Sequence, residues 1–319
     1  MSRFRTILFL LVFACSGAFA QGYPSKPVRI IVPFAPGGAT DIVTRIVAQK
    51  LTEVWGQSVV VENRSGAGGN IGGEAAAHST PDGYTLFMTS GSIVTANQYI
   101  YKKMAFDPAK DLLPITNVAS GPQVIVVNPG FPAKTLKEFI AAARAKPGTL
   151  NFGHAGIGTQ THLAAENFLF AANLNVVSIP YKGEGPAMTD LVANQINMAT
   201  VNMPGAMGFI NQGKLRALAV TGKQRSPQLP DVPAAAETLP GFENIGWFGL
   251  MAPAGTPKEV IDKIYRDTAK ILDTTEMRGR FYVLGMVPVG NSPAEFGAAI
   301  REESARWAKV VRERKIVVN

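Results

Sequence analysis

Cysteine is almost missing from this sequence: one residue of 319, Cys15, and it lies in the N-terminal apolar stretch "MSRFRTILFLLVFACSGAFA". With that stretch removed, the chain has no disulfide, no thiolate nucleophile and no cysteine metal ligand. Histidine is nearly as scarce. His78, His154 and His162 stand at spacings that match no metal motif, so neither a metal nor a cofactor is expected. No cluster of Lys and Arg interleaves with aromatics, which argues against nucleic acid as a partner. The nucleophile motif G-x-S-x-G is also missing, which argues against an exported hydrolase. Beyond the N-terminus no apolar window approaches the roughly 20 residues of a membrane-spanning helix.

Residues 1–20 carry Arg3 and Arg5, then an apolar run, then Ala18-Phe19-Ala20, the three-part layout of a secretory signal with an A-x-A cleavage site. Cleavage after Ala20 and export to the periplasm are the expectation. "VFAC" is a loose match to a lipoprotein box, because Phe13 takes a place where such boxes prefer a small residue. Removing residues 1–20 takes two of the 31 basic residues and none of the 23 acidic ones, leaving 299 residues with a formal charge of +6. That length suits two domains of about 150 residues each. The charge serves solubility and attracts anions weakly through salt.

Strand and helix patterns alternate along the chain. "VRIIV" reads as a strand and "DIVTRIVAQKLTEVWG" as a helix; "SVVVEN" and "YTLFMTS" are further strands flanking the loop and short helix of "AGGNIGGEAAAHS". A second block repeats the scheme from "PQVIVVNP" onward: helix "TLKEFIAAARAKPG" with a capping box of Thr135 and Glu138, strand "LNFGHA", helix "THLAAENFLFAANL", strand "VVSIPY", helix "PAMTDLVANQ", strand "INMATVN" and strand "LRALAVTG". Alternation of this kind argues a mostly parallel sheet in each block. The proline-rich residues 224–241 read as an ordered surface connection. After strand "IGWFGLMAP" come two helices with matching openings, Thr256-Pro257-Lys258-Glu259 and Ser292-Pro293-Ala294-Glu295, each a capping hydroxyl, a proline and a capping-box glutamate. The fold expected is α/β with two lobes: residues 21–124 plus 250–319 as the first and 125–249 as the second. Two chain crossings between them would make a hinge.

The stretch "PFAPGGATD" is a strand-to-helix junction. Gly37 and Gly38 let the backbone turn and let a partner approach its amides, and the start of a helix has unpaired donors and partial positive charge. "NFGHAGIGTQTH" is its counterpart in the second block, with Gly153, Gly156 and Gly158 leading into Thr159, Gln160 and Thr161. One anion-friendly helix start per lobe, facing across a cleft, could clamp a carboxylate. Ser90 and Ser92 in "TSGS", Tyr181 and Lys182 in "PYKGEG", and Asn202 in "TVNMP" are polar groups at strand ends that would complete the pocket. Several positions have a structural alternative: Asp41 suits the helix dipole, Gly37 and Gly38 suit a plain turn, Thr159 and Gln160 suit capping, Lys182 suits a solvated loop, and Trp247 suits hinge packing. "SGAGGNIGG" is no dinucleotide fingerprint, because Ile71 takes the third-glycine place and no acidic ribose partner follows.

The blocks "YPSKPVRIIVPFAPGGATDIVTR", "VVVENRSGAGGNIGGEAAAHSTPDGYTL", "VSIPYKGEGPAMTDL", "GKLRALAVTGKQRSPQLPDVPAAAE" and "GWFGLMAPAGTPKEVIDKI" together resemble the Bug family, the periplasmic solute receptors of tripartite tricarboxylate transporters. The resemblance runs from about Tyr23 to the C-terminal helix. It implies two lobes of the type II periplasmic binding protein kind, joined by two crossing strands and closing by hinge motion on a small carboxylate. It implies ligand contacts at Phe34, Ala35, Gly37, Gly38, Ala39 and Asp41 in one lobe, and at His154, Ala155, Gly158, Thr159 and Gln160 in the other. The partners implied are a small organic acid or amino-acid-like carboxylate and integral membrane transporter subunits, with the receptor itself a monomer. A signalling receptor for a carboxylate is the alternative. Two positions depart from the family's usual pattern: Glu184 stands where a small residue is common, and Asn202 where an aspartate is common. Facing the cleft, Glu184 would repel an anionic ligand, so it either points to solvent or reads a donor on the ligand.

Overall fold

In the computed structural model the described residues are 22–314 and 316. The expected signal segment, Cys15 included, lies outside them. Strands β1 (Val28–Val32), β2 (Val59–Asn63) and β3 (Thr85–Ser90) run parallel, β1 in the middle, followed outward by β9 (Ile245–Pro253) and β4 (Leu112–Val127), both antiparallel to their neighbours. The second lobe repeats this wiring. There β5 (Asn151–His154) pairs in parallel with β6 (Val177–Pro180) and β7 (Met198–Asn202); β7 pairs antiparallel with β4, and β4 with β8 (Arg216–Val220). Strand β4 therefore serves both sheets, and in the first it also pairs antiparallel with the short strand β10 (Val287–Pro288).

Helix α1 (Ala39–Trp55) follows β1, and its Val43, Val47 and Leu51 are fully buried against Ile30, Leu86 and Phe248 of the sheet. Helices α2 (Asn70–Ala77) and α3 (Gly91–Thr95) follow β2 and β3 and help cover the opposite face, where Ile31, Phe87, Ile93, Trp247 and Phe296 pack together. In the second lobe α4 (Leu136–Ala145) and α5 (Gln160–Ala172) close one face through Phe139, Phe152 and Phe168. Helices α6 (Glu184–Val192) and α7 (Met203–Asn211) close the other. Strands covered on both faces read as near-continuous apolar runs, which is why "VRIIV" and "VIVV" lack alternation.

Both lobe crossings lie in long strands. The pairing of β4 with β9 ends at Pro122↔Ile245, and its pairing with β7 starts one residue on, at Gln123↔Asn202. On its way back the chain enters β9 at Ile245, and position 249, the expected switch back, lies within that strand. Thr221 ties the crossings together: its Oγ1 donates to the Asn244 carbonyl (2.7 Å) and accepts the Gln123 amide (2.7 Å). Helices α8 (Lys258–Leu272), α9 (Thr275–Val283) and α10 (Pro293–Arg314) return to the first lobe, where Ile264, Leu272, Met277 and Phe281 enter its core.

Three local expectations are corrected. The first half of β4, "LLPITNVASG", was not expected as strand. Helix α9 was not expected at all; Thr274 caps it by accepting from the Met277 amide. Thr256 does not cap α8: its hydroxyl donates back to the Pro253 carbonyl (2.8 Å), and Pro257 takes the N-cap position. The matching opening at α10 is a full capping box, with Ser292 Oγ accepting from the Glu295 amide (3.3 Å) and Glu295 Oε2 accepting from the Ser292 amide (2.8 Å). Ser292→Ala is therefore expected to lower stability by about 1 kcal/mol, and Ser292→Gly by only a few tenths. Urea unfolding followed by circular dichroism checks both.

Candidate functional site

The two glycine junctions meet. A narrow cleft with about 10 Å³ of free volume lies between the lobes, lined from one side by Phe34, residues 38–41 and Ser90, and from the other by Ala155, residues 159–161, Glu184 and Asn202. Three hydrogen bonds hold its walls together. The Ala35 amide donates to the Lys182 carbonyl (3.0 Å), the Ala39 amide to Glu184 Oε2 (2.7 Å), and the Tyr101 hydroxyl to the Ile157 carbonyl (2.7 Å).

On the first-lobe side Gly37 has φ +86, a conformation costly for any residue with a Cβ, while Gly38 at φ −85, ψ 171 is ordinary extended backbone. Past them, the amides of Thr40 and Asp41 in the first turn of α1 have no acceptor among the described residues. Asp41 lines the cleft, but its carboxylate is already engaged. It accepts from the Gly37 amide (3.1 Å), Arg45 Nε (2.9 Å) and Asn63 Nδ2 (3.0 Å). Burial works to raise its pKa; these donors outweigh burial and hold it below the ordinary carboxylate range.

On the second-lobe side Thr159 caps α5 and donates to the Gly156 carbonyl (2.6 Å). The Gln160 and Thr161 amides lack an acceptor among the described residues. The Gln160 side chain forms a two-bond clasp with β9, accepting from the Trp247 amide (2.9 Å) and donating to its carbonyl (2.8 Å). One residue thus touches both the cleft and the hinge. Ser90 contributes a buried hydroxyl with no partner among the described residues.

Other sequence candidates sit outside the lining. His154 is buried beneath the loop; its Nδ1 accepts from the Gly156 amide (3.2 Å) and its Nε2 meets Ser178 Oγ (2.8 Å). His162 accepts from the Gly158 amide (3.3 Å), and the two imidazoles lie 4.5 Å apart. Gly158 faces Asn97 across the lobe gap, where an added Cβ would come within 2.6 Å of the amide oxygen. Ser92 is buried inside α3. Tyr181 and Lys182 line an outer groove with residues 66–68; the Tyr181 hydroxyl donates to Asp190 (2.7 Å), and burial followed by that partner pushes its pKa up to about 12. Three lining residues were absent from the sequence candidates as contacts: Thr40, Thr161 and Glu184.

Glu184 carries the largest surprise. It is the first residue of α6 and 5% exposed, with Oε2 on the Ala39 amide and Oε1 accepting from both the Asn202 amide (3.0 Å) and Asn202 Nδ2 (2.6 Å). Burial raises its pKa above the ordinary value, while those three donors act against the rise. Among the described residues no group of acidic, histidine or cysteine side chains is arranged to hold a metal, and no helix is long and apolar enough to cross a membrane.

This two-lobed arrangement has counterparts among known proteins. Residues 43–316 match the model of the tripartite tricarboxylate transporter family receptor. The protein BugT of Bordetella pertussis is 39% identical over 296 residues, 92% of this chain and 91% of that protein. The structure of periplasmic binding protein BugD is 34% identical with a TM-score of 0.89, over 92% of this chain and 99% of that one. Rpa4515 of R. palustris, solved with adipate, is 34% identical with a TM-score of 0.89, over 91% and 97%. The chain belongs to the tripartite tricarboxylate transporter receptor family.

Proposed function

We propose that the protein captures a small organic carboxylate in the periplasm and delivers it to integral membrane transporter subunits. The observation that carries this reading is the convergence of two helix starts, one per lobe, on a single buried cleft with unpaired amides on both walls. Amides at the start of a helix favour an anion through their donors and the helix dipole. The adipate held by a relative belongs to the same ligand class. Ligand contacts are assigned to residues 38–41, Ser90, Ala155 and residues 159–161, with Asp41 shaping its junction and His154 positioning the opposite loop. The protein works as a monomer. Its lobes open about the crossings at residues 120–123 and 244–247, and a ligand touching both walls favours the shut form.

Thermal unfolding with a panel of mono- and dicarboxylates, their esters and amides, amines and sugars tests this. A ligand held at about 100 times its Kd is expected to add about 2.7 kcal/mol of stability. The same ligand should compact the protein in small-angle scattering, and esters or amides in the panel should be recovered unchanged. A panel in which amines or sugars raise the melting temperature and no acid does would overturn the reading.

A further inference from the structure

The carboxylate of Glu184 already has the surroundings of a bound anion. It takes the first amide of a 17-residue helix on one oxygen and two donors from Asn202 on the other. Three hydrogen bonds of this kind, two from backbone amides, are what an incoming carboxylate would seek. We infer that Glu184 determines specificity by occupying the Ala39 amide and placing its charge at the start of α1, so that the cleft takes an acid with one carboxylate whose other end is a neutral donor, such as an amide or hydroxyl, directed at Glu184. This rests on the receptor reading above and narrows its ligand class.

Charge in the cleft supports the inference. Among the lining residues there is no Lys, Arg or His, and the two ionisable groups, Asp41 and Glu184, are both acids. The Asp41 charge is balanced by Arg45 at 2.9 Å, but Glu184 has no cationic partner. A second carboxylate on the ligand would meet that charge beside a side chain only 5% exposed, where repulsion is screened far less than in bulk solvent. The other seat is free of this conflict. The Gln160 and Thr161 amides are unpaired there, and the unpartnered Ser90 hydroxyl, 3% exposed, lines the same cleft. A ligand with one carboxylate on those groups leaves its far end against an acceptor, and an amide or hydroxyl satisfies it.

Titration calorimetry on the purified protein with succinate, succinamate, adipate and adipamate tests this, with Glu184→Ser and Glu184→Gln beside the wild type. The wild type is expected to bind each half-amide about tenfold more tightly than its parent diacid. Glu184→Ser frees the Ala39 amide and should reverse that preference, moving the ratio about a hundredfold. Glu184→Gln keeps the volume, removes the charge and should move the ratio the same way by less; it carries the test if the serine variant fails to fold. A wild-type preference for diacids, or a ratio unmoved in the variants, overturns the inference and leaves the receptor reading intact. Folded wild-type and variant proteins that bind none of the four acids would also overturn the inference, while the receptor reading falls only if the wider panel above finds no acid that binds.

Discussion

Gly38→Val is expected to reduce affinity for a cleft ligand by about a thousandfold, equivalent to about 4 kcal/mol, with little change in the stability of the free protein. The reason is the position of Gly38 in the gap between lobes, not its backbone. At φ −85 and ψ 171 a valine can adopt the local conformation. Its Cβ would stand 3.2 Å from the Glu184 Cβ and 3.4 Å from Oε2, both on the opposite lobe, and the two γ-methyls would reach further. Closure would stop short of the geometry in which both walls touch a ligand, and the Ala39 amide would be shielded. Gly38→Ala should fall between, since a contact at 3.2 Å needs a shift of only a few tenths of an ångström. Calorimetry with the tightest-binding probe checks the series. An affinity for the valine variant within about threefold of wild type would show that closure does not depend on this contact.

The sequence carried the junctions because their signals are local. Gly37 and Gly38 stand between a β-branched run and an amphipathic stretch, so strand, turn and helix are each legible within a few residues. What it did not carry depends on distant partners. "LLPITNVASG" contains Pro114 and Gly121 and reads as a loop; it is strand because β9 pairs with it along almost its full length. Helix α9 buries only Met277 and Phe281, one residue pair at i,i+4, and contains Gly279, so its periodicity is weak. Thr256 and Ser292 occupy like positions in like tetrapeptides, yet only Ser292 caps. Glu184 was legible as an oddity, but its seat is an amide 145 residues away. Ser92 and Ser90 are two residues apart in the sequence, and only the fold sorts one into α3 and the other into the cleft.

Lowering the pH from about 7.5 to about 5 is expected to destabilise the protein by about 4 kcal/mol, through two histidines buried beneath the second-lobe cleft loop. Burial, followed by the neighbouring His162, lowers the pKa of His154 to about 3, and burial lowers that of His162 to about 4. In the unfolded chain both return to about 6.5. Between these values the unfolded state binds more protons than the folded one, so stability is present above about pH 6.5 and is lost as pH falls toward the folded pKa values. Each histidine contributes about 1.4 kcal/mol per pH unit over that window, or about 2 kcal/mol by pH 5. Burial is the cause in both rings, and the geometry shows how each is held in its neutral form. Each Nδ1 accepts a backbone amide, from Gly156 and from Gly158, and protonation would set one N–H against another. Those amides shape the cleft loop that ends at the Gln160 and Thr161 donors, so acid should loosen the second-lobe seat before the whole fold is lost. Two groups oppose the trend. Glu166 lies 3.7 Å from His162 and favours its charged form. Glu184, with its raised pKa, gains a proton more readily when folded and so adds stability as pH falls. Urea unfolding across this range should give a slope that drops by about half in His154→Gln and further in the variant lacking both histidines. An unchanged slope in that double variant would place the acid sensitivity elsewhere, in the carboxylates whose pKa values the fold lowers.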